Sequence, residues 1–100
     1  MSYLPVALKV EEKRIVLIGG GRVALHKIMS LLDFRQQITV VAPDIHSEIE
    51  KAEVSVIKRP YLSSDLDGAF LAYACTDNEQ LNRTVCDDAR QRGVLVNVVD

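Results

Sequence analysis

A chain of 100 residues can hold one small domain with a core of its own, not two. With 48% apolar and 26% charged residues it reads as soluble and folded, which excludes a disordered segment. A net charge of −2 leaves no basic surface for nucleic acid, and no stretch approaches the roughly 20 apolar residues of a membrane span. Residues 1–13 lack the charged and apolar regions of a signal peptide, so a cytoplasmic location is expected. Cys75 and Cys86 have neither C-x-x-C spacing nor a histidine nearby, and are expected to be small buried hydrophobes without a disulfide.

Apolar runs alternate with helical patterns along the chain. Residues 14–18 (RIVLI) are a near-continuous apolar run, the mark of a strand buried on both faces of a parallel sheet. Residues 22–33 place Val23, Ala24, Ile28, Leu31 and Leu32 at helical spacing. The stretch Phe34–Gln36 then offers no glycine to end that helix. A second strand is expected over 38–42 (ITVVA), stopped by Pro43, then a short helix over 47–52 and an edge strand over 54–57 (VSVI). Residues 62–68 read as a polar connection, and 69–74 (AFLAYA) as the fourth strand. Thr76 and Glu79 have the spacing of a capping box for a helix reaching about Arg92. Leu81, Val85 and Ala89 share its inner face, Gly93 ends it, and 94–99 (VLVNVV) form the fifth strand. The pattern predicts an α/β fold, a Rossmann-like doubly wound parallel sheet with strand order 3-2-1-4-5.

The turn after the first strand, Gly19-Gly20-Gly21-Arg22-Val23-Ala24, fits G-x-G-x-x-A. In that fingerprint the first glycine permits the tight turn. The second lets a diphosphate approach the backbone, and the third small residue lets helix and strand pack closely. Amides of residues 20–23 at a helix N-terminus would then face the phosphates. Alone the motif is also compatible with a tight turn that holds nothing; the flanking strand and helix favour a dinucleotide. Past the second strand stand Pro43 and Asp44. Asp44 is the acid available for the ribose hydroxyls, or it caps the following helix. With no Arg or Lys close behind it, NAD is expected rather than NADP. Thr76 and Asn97, beyond the fourth strand and at the end of the fifth, fall on the same rim. They would lie toward the nicotinamide or simply satisfy nearby backbone groups. His26 and His46 lack ligand spacing, so no metal site is expected. Arg22 is the leading cation of the rim, and Arg59 a weaker one that is compatible with simple solvation.

Several motifs occur in a telling order: Leu4-Pro5-Val6, the glycine turn followed by Lys27, Thr39-Val40-Val41-Ala42-Pro43, Asp65-Leu66-Asp67-Gly68-Ala69, Thr76-Asp77 with Asn82, and Val96-Asn97-Val98-Val99-Asp100. Together they resemble the N-terminal domain of siroheme synthases, the precorrin-2 dehydrogenase and sirohydrochlorin ferrochelatase family, over nearly the whole chain. The resemblance implies NAD-dependent oxidation of the tetrapyrrole precorrin-2 to sirohydrochlorin, with Fe²⁺ insertion in many members. It implies that Asp100 is the catalytic carboxylate of both steps. It also implies that residues 1–100 are the NAD(P)-binding domain of a longer protein. That protein's dimerisation and helical regions, absent here, would complete the cleft of a homodimer. A fragment ending at Asp100 would bind NAD weakly and turn over little or nothing. The rival readings are a regulatory nucleotide-sensing module, a methyltransferase and a catalytically silent scaffold. The first two would ordinarily place an acid directly at the end of the second strand, where this chain has Ala42-Pro43.

Overall fold

The computed structural model describes residues 2–32 and 37–99; Asp33, the stretch Phe34–Gln36 and Asp100 lie outside them. The elements are β1 (Arg14–Ile18), α1 (Arg22–Leu31), β2 (Gln37–Val41), α2 (Ser47–Glu50), β3 (Ser55–Ile57), a 3₁₀ turn (Ser63–Leu66), β4 (Leu71–Ala74), α3 (Glu79–Gln91) and β5 (Leu95–Val98). Five parallel strands stand in the order β3-β2-β1-β4-β5, the expected Rossmann-like α/β topology.

Alternation along the central strand divides the core in two. Ile15 and Leu17 point to the face covered by α1 and α2, where Ala24, Ile28, Leu31 and Ile49 are buried. Val16 and Ile18 point to the opposite face, where Leu66, Val85, Ala89 and Val94 are buried. Both sides of β1 are therefore dry, which is why its sequence shows no polar alternation. The helices change faces as the chain passes from β3 to β4, and β4 lies beside β1. That junction is the switch point where open α/β sheets leave a crevice at their carboxyl ends.

The helix stripes are narrower than their spacing suggests. Val23 and Leu32 are 38% and 37% exposed, so α1 buries only Ala24, Ile28 and Leu31. The α3 N-terminus is not closed by Thr76 and Glu79. Asn78 is the cap, its side chain accepting the Leu81 amide at 3.0 Å. At the other end the Val94 amide reaches the Ala89 carbonyl and the Gly93 amide reaches that of Arg90. Gly93 (φ 67°) thus closes a Schellman motif.

The segment between β3 and β4 is more structured than its polar composition implied. Leu66 is fully buried. The Asp65 carboxylate, 6% exposed, receives both Nη atoms of Arg59 and the Leu62 amide. Arg14 donates to the Asp67 carbonyl at 2.7 Å, and the Tyr61 hydroxyl donates to Asp88 Oδ2 at 2.7 Å on α3. A polar latch thus does the work that a crossover helix does elsewhere in the sheet. Arg59 belongs to it, which corrects its placement as a cation of the rim. Among the described residues no helix is long and apolar enough to cross a membrane.

Candidate functional site

The three glycines of the turn stand in three different surroundings. Gly19 (φ 132°) leaves β1 with its amide still donating to the Val41 carbonyl at 3.0 Å, and a Cβ there would stand 2.5 Å from the Cys75 carbonyl oxygen. It is glycine because the chain must turn in a conformation closed to other residues, against the backbone leaving β4. A Cβ on Gly20 would stand 2.3 Å from the Asp44 carbonyl oxygen. Gly21 differs from both. Its φ of −94° is open to any residue, and a Cβ there would meet nothing within 4 Å.

Beyond Gly21 the chain enters α1 without a side-chain cap. The Gly21 carbonyl accepts the first helical bond, from the Leu25 amide at 3.0 Å. The amides of residues 20–24 have no acceptor among the described residues. Five consecutive donors are thus free at the positive end of a ten-residue helix, with Gly21 among them. That is the donor set a diphosphate requires, and the missing Cβ is the space it requires, so the residues present fit a dinucleotide. Arg22 and Val23 are exposed at the same place, and Arg22 makes no ion pair among the described residues.

The structure brings the other predicted residues to the same rim with unequal freedom. Pro43 and Asp44 are exposed in the loop that leaves β2. Asp44 does not cap α2: His46 does, its Nδ1 accepting the Glu48 amide at 3.0 Å, so the Asp44 carboxylate is left to solvent. Thr76 is tied into its own loop. Its Oγ1 donates to Asn82 Oδ1 at 2.6 Å and accepts the Asn78 amide at 3.1 Å. Asn82 also accepts the Thr76 amide and donates to the Thr76 carbonyl. Asn82 is 6% exposed and holds the main chain after β4 in place. Asn82 belongs to the Thr76-Asp77 motif, and its role is visible in the fold. The available signal was an amide standing three residues before Val85 and seven before Ala89, on a buried stripe. Asn97 is exposed on β5 opposite Tyr73. The chain reaches the rim through Val99, whose amide donates to the Ala74 carbonyl at 2.9 Å; Asp100 lies outside the described residues.

The thiols take no part in this chemistry. Cys75 is buried, and burial pushes its thiol up to about 12, leaving no thiolate at neutral pH. Cys86 is only half-buried, contrary to expectation. It lines a groove of about 370 Å³ between α3 and β5, apart from the glycine turn. Among the described residues no three His, Cys, Asp or Glu side chains stand together as metal ligands.

Residues 6–100 match a family model described as "Putative NAD(P)-binding". The whole chain is 42% identical to a siroheme synthase of Chromobacterium violaceum and 41% identical to one of Ectopseudomonas mendocina. It spans 22% of the length of each of these relatives. Among solved structures, the precorrin-2 dehydrogenase SirC superposes on 95% of this chain with a TM-score of 0.82 and 27% identity; the match covers 48% of that protein.

Proposed function

This chain belongs to the NAD(P)-binding family, and on that footing we propose that it is the cofactor-holding domain of an NAD-dependent precorrin-2 dehydrogenase, acting in siroheme biosynthesis to yield sirohydrochlorin. The observation that carries the reading is the bare face of Gly21. Neither its φ nor its packing calls for glycine, and it stands among amides that have no acceptor among the described residues. The missing side chain leaves open space beside those amides that a diphosphate can occupy. The similarity to siroheme synthases and to SirC supports the substrate class.

The chain's own residues have distinct tasks in this reading. Amides 20–24 take the diphosphate, with the Arg22 guanidinium and the exposed edge of Val23 beside it. Gly19 lets the turn close over β4, and the Pro43–Asp44 loop meets the adenosine ribose, where a carboxylate suits NAD better than NADP. Asn82 fixes the Thr76 backbone, and Asn97 borders the nicotinamide side. NAD when bound supplies a hydride acceptor. Asp100 takes the proton that leaves the macrocycle, a task that suits a carboxylate. Fe²⁺, if inserted, enters as a substrate on the macrocycle's own nitrogens. Arg22 also attracts the carboxylates of the tetrapyrrole.

Calorimetric titration with NAD tests the reading. Gly21→Ala should lower affinity at least about tenfold while leaving the melting temperature unchanged, because the added methyl occupies ligand space and no protein space. Equal affinity in the two proteins would contradict it. Hydride transfer from precorrin-2, followed as NADH absorbance in a form that continues past residue 100, separates a dehydrogenase from a silent NAD-binding module.

A further inference from the structure

The middle position of a G-x-G turn has no assigned task, yet here its packing is closer than that of its neighbours. The Gly20 carbonyl accepts the His46 amide at 2.7 Å. A Cβ on Gly20 would stand 2.3 Å from the Asp44 carbonyl oxygen, 2.8 Å from Ile45 Cδ1 and 3.1 Å from Ala42 Cβ. The nearest of these is main chain, which cannot swing aside as a side-chain end can. The loop leaving β2 is therefore seated directly on the glycine turn. Ile45 packs against the α1-side core, and His46 caps α2, so the loop is held on three sides.

This seating joins two segments that a dinucleotide must meet together. Its diphosphate and adenosine ribose are linked by a short covalent span, so the amides that take one and the carboxylate that takes the other must keep a fixed separation. Resting on the dinucleotide reading above, we propose that Gly20 is a positioning residue for the ribose. By admitting residues 43–46 against the turn, it sets Asp44 at the distance from amides 20–24 that one dinucleotide spans.

The test compares the purified protein's affinity for NAD with that for the analogue lacking the adenosine 2′-hydroxyl. The wild-type protein is expected to prefer NAD by about tenfold, the effect of one hydrogen bond to a charged group. Gly20→Ala should reduce that preference to about one. So should Asp44→Ala, and the double variant should lose nothing further. Gly21→Ala should weaken both ligands alike and keep the preference. Should Gly20→Ala fail to fold, a second pair decides. His46→Pro removes the amide while suiting the φ of −56° found there; His46→Ala keeps the amide and, like the proline, loses the imidazole cap. The proline variant should lose the preference and the alanine variant keep it. A preference unaltered in Gly20→Ala or in His46→Pro overturns the proposal, as does a wild-type protein that binds both ligands equally. Failure of the wild-type protein to bind NAD at all would instead remove the reading on which it rests.

Discussion

The glycine turn, which leads from β1 into α1, and the β3–β4 connection, where the chain changes faces of the sheet, treat polar groups in opposite ways. In the connection the groups are matched internally. The Asp65 carboxylate has Arg59 and the Leu62 amide, Arg14 reaches the Asp67 carbonyl, and Tyr61 reaches Asp88. In the turn five amides in succession have no acceptor among the described residues, and a Cβ on Gly21, one of the five, would meet nothing within 4 Å. A connection that satisfies itself is holding the fold together. One that withholds its donors from the fold has them available for a ligand. The two regions should therefore respond to mutation on different axes, stability for the latch and affinity for the turn.

The sharpest break of that comparison is at Asp65. Asp65→Ala leaves the Arg59 guanidinium and the Leu62 amide without their acceptor and should cost about 3 kcal/mol of unfolding free energy. This is the low end for a broken buried ion pair, because Arg59 is partly exposed. Urea denaturation would measure it, with NAD affinity in the folded fraction unchanged. A loss of affinity without a loss of stability would reverse the roles assigned to the two regions. Next in size is Gly21→Ala, whose tenfold weaker binding at constant melting temperature corresponds to about 1.4 kcal/mol on the affinity axis alone.

Acid provides a third contrast. The Arg59 guanidinium and the Leu62 amide hold the Asp65 carboxyl below the usual carboxylate range, although burial opposes them. The folded-state value is depressed. Its contribution is therefore fully present above the unfolded value of about 3.9 and is lost as pH falls through the folded one. Denaturation followed below about pH 4 should show a loss in the native protein that Asp65→Asn abolishes.

How much of this could be read beforehand depends on whether a local pattern carries it. Strand β1 was legible because burial on both faces leaves a short apolar run bounded by turn residues, and the strand order because strands and helices alternate along the chain. The glycine turn was legible as a motif because strand, small residues and helix follow one another without a gap. The fingerprint also gives Gly19 the turn and Gly21 the open face, but not the close seating of Gly20, which is set by Asp44 and Ile45 on a segment remote in sequence. The latch escaped for the same reason. Arg59 and Asp65 are six residues apart around a 3₁₀ turn, a spacing without periodic signature, and Leu66 alone among Ser, Asp and Gly does not announce a core residue. Cap positions are legible only to within a step or two: Asn78 and not Thr76 caps α3, and of the two roles open to Asp44 the cap falls to His46, since each position offers a side chain able to accept an amide and only the chain's path selects one.

The smallest effect lies where the latch meets α3, and alkali reads it best. Burial, and then the hydrogen bond to Asp88, push the Tyr61 phenol above its ordinary range. Because the folded value is raised, the contribution is complete below the unfolded value of about 10 and declines as pH rises toward the folded one. Tyr61→Phe removes the donated hydrogen bond but keeps the ring that packs against the α3-side core, so it should cost only about 1 kcal/mol near neutrality. The diagnostic lies in the slope. Between about pH 10 and 11 the native protein should lose stability through this group and the Phe variant should not. A Phe variant as sensitive to alkali as the native protein would show that the Tyr61–Asp88 contact is not part of what holds the connection. The contrast with the glycine turn would then rest on the Arg59–Asp65 pair and Arg14.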